Sequence, residues 1–355
     1  MGQIPGVNLD RLTAWLDERG HESGPLSDIE QLDGGTQNIL VRFRRENRTY
    51  VLRRAPLHKR ASSDEAMRRE ARVLRALNGS DIPHPRLIDD CPDASVLGSA
   101  FYLMESIDGV NPRTGLPDSY RDDVAARREV GLAFVDAAAA IGSFDHRAAG
   151  LDGLGRPSGF LERQVARWRS AYDAYDASLR YDTGVRRREI DEVGAWLEQH
   201  RPKSFRPGLL HGDYHLGNIM VDRARPRVAA VVDWELATIG DPLLDLGWIL
   251  ATWPGPDGPA FGAIGFEPWD GMLTEAEVLA RYASNTTQDL TRIGWYATLA
   301  AFKLGIILEG TYVRSLDGET SVEVGLEMHQ HSIALFTRAQ KRIGGMSWPS
   351  RPDSN

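Results

Sequence analysis

Apolar and basic side chains alternate along Ile39-Leu40-Val41-Arg42-Phe43-Arg44, and a second apolar run, Thr49-Tyr50-Val51-Leu52, follows across Glu46-Asn47. A period of two around a short polar break predicts an antiparallel hairpin. The period then changes. Over residues 65–77, Met67, Leu74 and Leu77 share one face at helical spacing, and Glu70 falls on that same face, three after Met67 and four before Leu74. A carboxylate on the apolar side of a helix needs a cationic partner. Pro83 and Pro85 end the segment, and Ser99-Ala100-Phe101-Tyr102-Leu103-Met104 predicts a buried strand running into Glu105-Ser106-Ile107-Asp108-Gly109. Beyond Gly109 the pattern is mainly helical, with stripes such as Trp295, Leu299, Phe302 and Ile306. Two short runs interrupt it: Asn218-Ile219-Met220-Val221 and Val228-Ala229-Ala230-Val231-Val232 form a second hairpin across residues 222–226. Residues 253–270, crowded with Gly, Pro and Asp, read as a long surface loop. The change of pattern divides the chain into a smaller, strand-rich part, 1–107, and a larger helical part, 108–355, with a linker near 104–109.

Composition narrows the function classes. Forty-two basic against 50 acidic residues give a net charge of −8 in 355 residues, which excludes a binder held by nucleic-acid phosphates. Residues 1–107 hold 15 basic and 16 acidic groups and residues 108–355 hold 27 and 34, so the helical part is the acidic one. A single cysteine, Cys91, cannot form an internal disulfide and suits a reducing, cytoplasmic setting. Residues 1–12 lack the basic-then-apolar pattern of a secretory signal, and the most apolar stretches, 133–141 and 243–253, are too short to span a bilayer. Neither nucleic acid nor a membrane is an expected partner.

The chemistry is concentrated in Leu209-Leu210-His211-Gly212-Asp213-Tyr214-His215-Leu216-Gly217-Asn218, followed by the second hairpin and Val232-Asp233-Trp234-Glu235. His-x-Asp-x-x-x-x-Asn is the spacing of a phosphotransferase loop, in which the Asp accepts or orients the attacking hydroxyl and the Asn ligates a metal. Asp233, at the end of the hairpin partner, completes an oxygen-ligand site of the kind Mg²⁺ prefers. His211, Asp213, His215 and Asp233 also admit a second reading, the transition-metal cluster of a hydrolase. Upstream, Gly34, Gly35, Thr36 and Asn38 lie just before the first hairpin strand, where glycines let backbone N–H groups approach phosphate; the plain alternative is an ordinary turn. Arg53 ends the second strand and is the expected partner of Glu70, an ion pair placed to grip phosphates, against the alternative of a surface Arg and a partly buried Glu. Met104, Glu105 and Ile107 supply a strand end and linker whose backbone could bond an adenine edge, an inference from order along the chain.

With these features in this order, the chain resembles the aminoglycoside phosphotransferase family of the protein-kinase-like fold over about residues 32–250. Tyr50-Val51-Leu52-Arg53, Phe101-Tyr102-Leu103-Met104, Leu161-Glu162-Arg163-Gln164 and Asp233-Trp234-Glu235 through Gly240-Asp241-Pro242 resemble the branch associated with acyl-CoA dehydrogenases. The resemblance implies an α+β, two-lobed fold with a small antiparallel-sheet N-lobe and a larger, mainly helical C-lobe. It implies Mg²⁺ and ATP or GTP in the cleft, and transfer of the γ-phosphoryl group to a small-molecule hydroxyl acceptor. Asp213 then resembles the catalytic base, Asn218 and Asp233 the metal ligands, and Glu70 the helix carboxylate. Two departures matter. Arg53 stands where many members have lysine, and the only lysine before Gly109 is Lys59; a planar fork replaces a point charge, which keeps open a nucleotide-binding module with little catalysis. Gly240-Asp241-Pro242-Leu243-Leu244-Asp245 begins seven residues after Asp233, leaving no room for a peptide-positioning segment, so the acceptor is a small molecule. Asp241 and Asp245 are expected to hold the loop and cap the following helix. An aminoglycoside suits the acidic lobe by charge, the branch points to hydroxyacyl or other metabolites, and acceptor contacts are expected in 253–270 and on the carboxy-terminal helices.

Overall fold

A computed structural model of the protein describes residues 4–32, 38–57, 62–255, 258 and 266–345. The amino-terminal lobe is a five-stranded antiparallel sheet of β1 (Leu26–Leu32), β2 (Ile39–Arg45), β3 (Arg48–Arg54), β4 (Leu87–Cys91) and β5 (Phe101–Glu105), in the order β1-β2-β3-β5-β4. The alternation along residues 39–52 does what it predicts. Val41 lies opposite Leu52 and Phe43 opposite Tyr50, all four fully buried on one face, with the Phe43 and Tyr50 rings stacked at 5.3 Å. That face is covered by α1 (Leu9–Glu18) through Leu12, Trp15 and Leu16. The apolar pattern named above omits α1, although Asn8 is a legible start signal: its side chain accepts from the Arg11 N–H.

The other face carries α2 (Ser63–Leu77), whose Met67, Glu70, Ala71, Leu74 and Leu77 are buried. This apolar layer does not stop at the linker; it runs on into the core of the helical lobe, where Phe134, Leu209, Val231 and Trp234 belong to the same cluster. The C-lobe contains α3 (Asp118–Arg121), α4 (Val124–Ser143), α5 (Glu162–Asp173), α6 (Gly184–Gln199), α7 (Leu243–Thr252), α8 (Glu275–Ser284), α9 (Ile293–Leu316) and α10 (Val322–Ile343). The stripe Trp295, Leu299, Phe302 and Ile306 is the buried face of α9. Leu290–Leu316 is also the one described helical stretch long and apolar enough to cross a membrane, longer than either stretch weighed from the sequence; two-thirds of its apolar window lies inside the protein, as a core helix does.

The helical lobe has five short strands where the pattern shows two. β6 (Gly109–Val110), β8 (Ile219–Asp222) and β9 (Val228–Val231) form one antiparallel sheet, and β7 (Gly208–Leu210) pairs with β10 (Thr238–Gly240). Strands of two or three residues are too short to show a period. Their placement still matters, because β6 follows the linker directly and pairs Gly109 with Asp222, fastening the linker to the second hairpin. Two aromatics of the 253–270 segment are not surface: Trp253 and Phe266 are buried, and the Trp253 indole donates to the Leu273 carbonyl at 2.7 Å, whereas Glu267 and Asp270 are exposed. Large aromatics override the loop-forming composition at those two positions.

Candidate active site

Backbone geometry and buried side chains hold the loop that follows β7. Gly212 has φ of +86°, and a Cβ there would stand 2.6 Å from the Leu236 carbonyl oxygen, so only glycine turns the chain here. Asp245, in the first turn of α7, accepts the His211 N–H at 2.7 Å and the Gly212 N–H at 2.9 Å. Burial pushes the Asp245 carboxyl up, while the His211 side chain and these two N–H groups pull it back. His211 is fully buried; its Nε2 lies 2.9 Å from the Val232 carbonyl and its Nδ1 accepts the Asp213 N–H, which fixes the Nε2–H tautomer. The predicted structural role of Asp245 and its neighbour is therefore realised: Asp241 accepts the Leu243 N–H at 3.1 Å and the Tyr296 hydroxyl at 2.6 Å.

Asp241 supplies a test of this framework. It is fully buried, and desolvation raises its carboxyl from 3.8 to about 6 against the opposing pull of Tyr296 and the Leu243 N–H. A folded-state value above the unfolded one means that its contribution to stability is complete below about pH 4 and is lost as pH rises through about 6. Asp241→Asn should remove that slope. The gap between the wild-type and variant unfolding free energies is expected to change by about 2–3 kcal/mol between pH 4 and 7 in urea titrations. Parallel curves would show that Asp241 does not titrate as its burial demands.

Asp213 lies at the mouth of this loop, about one-third exposed. Burial acts to raise its carboxyl, but the hydrogen bond from His215 Nε2 at 3.5 Å, the electrostatic pull of the His215 and His211 rings and the Lys303 ammonium outweigh it and hold the group at about 2. His215 is itself oriented, its Nδ1 accepting the Gly217 N–H at 3.0 Å. Asn218 donates its Nδ2–H to the Asp213 carbonyl at 2.9 Å and to Asp213 Oδ2 at 3.2 Å, which turns its amide oxygen away from Asp213. The Val232 N–H donates to the Asn218 carbonyl at 2.9 Å, so the two predicted metal ligands flank the paired ends of β8 and β9. Asp233 itself has left-handed backbone, φ +66° and ψ +62°, a conformation that Asp tolerates better than most side chains. It leaves the carboxylate partly exposed at the cleft.

From the other lobe, Arg53 reaches all three acidic groups that face it. Its Nη2 donates to Asp233 Oδ1 at 2.7 Å, its Nε stands 3.1 Å from Glu70 Oε2, and Glu235 Oε2 is 3.6 Å away. The reason lies in strand register: Arg53 is directly opposite Tyr102, so the two share the sheet face over α2, and Tyr102 bonds Glu70. Burial raises the Glu70 carboxyl to about 7, with Arg53 pulling the other way. Desolvation works against the Arg53 charge, but Glu70 and Asp233 outweigh it and keep the guanidinium protonated. Burial and the Asp233 charge likewise raise Glu235, which accepts from Asn38 Nδ2 at 3.2 Å. Asn38 is thus part of the cleft, whereas Gly34, Gly35 and Thr36 lie outside the described residues. Met104 is half-buried in β5, between Leu87 and Val51, and the Glu105 N–H is taken by the Arg86 carbonyl at 2.9 Å. Ile107 follows in the linker, half-buried.

Three cleft residues escaped the sequence reading. Tyr102 and Glu235 stood inside quoted motifs without a role. Lys303 is a half-buried lysine in the apolar first half of α9; its Nζ lies 3.4 Å from the Gly212 carbonyl and 4.3 Å from the centre of the Trp248 ring. A cation among apolar residues is the signal that marks it. The transition-metal alternative finds no support in the geometry. Among the described residues no three His, Cys, Asp or Glu side chains are grouped to hold a metal, both His211 ring nitrogens and the His215 Nδ1 are occupied by backbone groups, and the His215 Nε2 is turned to Asp213.

A family model described as the phosphotransferase enzyme family matches residues 28–280. The chain belongs to the aminoglycoside phosphotransferase family. A Ralstonia eutropha protein assigned to the aminoglycoside phosphotransferases has a solved structure that superimposes with a TM-score of 0.76, at 29% identity over 94% of this chain and 98% of that one. An aminoglycoside phosphotransferase in complex with GDP and kanamycin shares the fold, with a TM-score of 0.64 at 16% identity over 92% of this chain and 99% of that one. The two-lobed, kinase-like fold expected from the sequence is therefore observed. Among curated proteins, acyl-CoA dehydrogenase family member 10 of Mus musculus is 31% identical over 307 residues, covering 85% of this chain and 28% of that protein. Member 11 from Gallus gallus is 31% identical over 311 residues, covering 85% and 38%. The phosphotransferase-family chain thus spans well under half the length of these relatives, whose names agree with the branch recognised in its sequence.

Proposed function

We propose that the protein is a Mg²⁺-dependent small-molecule kinase that moves the γ-phosphoryl group of ATP or GTP to a hydroxyl. The observation that carries this reading is the convergence of Asp213, Asn218 and Asp233 from one lobe on Arg53 and Glu70 from the other. In this reading residues 1–107 hold the nucleotide and residues 108–355 hold the catalytic loop and the acceptor. The donor set suits Mg²⁺: one carboxylate from Asp233 and one amide oxygen from Asn218 are hard ligands, and such an ion takes few protein ligands beside phosphate and water. When bound, the ion would neutralise charge on the phosphates. Arg53, freed from Asp233, supplies a planar donor fork for phosphate oxygens, kept in place by Glu70.

The acceptor oxygen attacks the γ-phosphorus. A new P–O bond forms, the bond to the bridging oxygen breaks, and its electron pair leaves with the nucleoside diphosphate. The hydroxyl proton passes to Asp213. A carboxylate held at about 2 is a weak base, so Asp213 works first by orienting the hydroxyl and accepts the proton late, as the oxygen loses electron density to phosphorus.

Transfer from γ-labelled ATP and GTP to a broad hydroxyl panel tests the reading. Labelled product should form with Mg²⁺ and fall to background when the metal is withheld or chelated. Metal-independent transfer would remove Asn218 and Asp233 from their roles. Nucleotide binding without transfer to any acceptor would favour the binding-module reading that the Arg53 substitution raises.

A further inference from the structure

Along α5 lies an open cavity of about 500 Å³ whose basic wall is made by Arg156, Arg163 and Arg167, with Phe160 and Gln164 beside them. Arg163 and Arg167 stand one turn apart on α5. Arg163 donates to the Ser158 and Arg156 carbonyls at 2.5 and 2.6 Å, which folds the 156–159 segment back over α5 and brings Arg156 to the same wall. No carboxylate lines the cavity, and among the described residues none of the three guanidiniums has a carboxylate within ion-pair distance. Other exposed arginines of this acidic chain do have a carboxylate partner, Arg19 in Asp89, Arg128 in Glu277 and Arg281 in Asp136. Three like charges gathered without a counter-charge repel one another unless an anion joins them.

The cavity is joined to the reacting centre on two sides. Arg167 lies over the Trp168 ring at 5.1 Å, Lys303 approaches the same ring at 5.5 Å, and Lys303 Nζ reaches the Gly212 carbonyl next to Asp213. On the other side, Phe160 packs so closely on Gly240 of β10 that a Cβ there would stand 2.4 Å from the ring. The wall is therefore fixed relative to both Asp213 and the segment that follows Asp233.

Resting on the kinase reading above, we propose that this arginine pocket binds an oxyanion of the acceptor, so that the substrate is a hydroxy compound bearing a carboxylate or a phosphate. Planar guanidiniums match either anion with paired N–H donors. A polycation such as an aminoglycoside would meet three like charges at this wall, whatever the net charge of the lobe around it. The anion anchors the far end of the molecule while its hydroxyl lies against Asp213, where the O–P bond is made and the proton is released.

The test is a set of ω-hydroxy compounds on one scaffold, ending in carboxylate, phosphate monoester, amide or ammonium, assayed with wild-type protein and with Arg156→Glu/Arg167→Glu. Both replaced side chains are exposed, and Arg163, which holds the loop, is left intact. Transfer is expected to the carboxylate or the phosphate member, the preferred one naming the source of the anion, and the variant should lose about 10–100-fold in kcat/KM, mostly through KM. Preference for the amide or ammonium member, or an unchanged kcat/KM in the variant, overturns the inference and leaves the kinase reading standing. Should no member be phosphorylated, inorganic phosphate titrated onto the full chain with a non-hydrolysable nucleotide and Mg²⁺ in place decides it: weaker binding by the variant supports the pocket, and equal or absent binding overturns it. Failure to bind nucleotide in that same titration would count against the kinase reading itself.

Discussion

Asp213→Ala is expected to lower the turnover of phosphoryl transfer by about 10²–10⁴-fold, the range for a positioned acid–base group, with nucleotide affinity changed little. The separation follows from the contacts. Asp213 is held by His215 and Asn218 and is not among the partners of Arg53, so its removal leaves the Arg53, Glu70 and Asp233 cluster intact. The pH dependence adds a second signature. Because the folded-state value is depressed to about 2, Asp213 stays ionised throughout the acid range in which an ordinary carboxylate titrates, and any stability it contributes is lost only as pH falls from about 4 towards 2. The acid limb of kcat should therefore not carry a carboxylate step near 4. Single-turnover transfer measured from pH 4 to 8, with nucleotide binding measured alongside, checks both statements; an alanine variant that turns over like wild type removes Asp213 from the reaction.

Arg53→Met should destabilise the protein by about 3–5 kcal/mol, because it keeps side-chain volume and leaves Glu70 buried without its cation. Glu70 has one escape, to take up a proton. Its carboxyl already lies at about 7 with Arg53 present, so the loss should be smaller at pH 6 than at pH 8, by about 1–2 kcal/mol. The sign is that of a raised carboxylate: stability is retained at low pH and falls as pH rises. Urea unfolding at the two pH values measures it, and an equal loss at both would contradict an ionised Glu70. Adding Glu70→Leu should restore much of the stability but not the nucleotide affinity, which separates packing from ligand binding.

How much of this could be read beforehand depended on the length over which a pattern persists. Residues 39–52 and α2 repeat long enough to show their period, so the hairpin, the inward-facing Glu70 and its pairing with Arg53 were all legible. β6, β7 and β10 were not, since two or three residues carry no period and their pairing is decided by distant partners. The loop from His211 to Asn218 was legible because its chemistry fixes spacing along the chain. Lys303, almost a hundred residues further on, meets that loop only through tertiary packing, and no local spacing announces such a meeting. The same holds for the third partner of Arg53: Glu235 comes into range because the backbone reverses at the left-handed Asp233.

The bonds from Arg53 to Asp233 and from Asn38 to Glu235 tie the two lobes together across the cleft like a latch. If Asp233 holds the metal as proposed, a metal–nucleotide must first release it from Arg53. The affinity seen from outside is then lower than the intrinsic affinity by the fraction of molecules that stand unlatched.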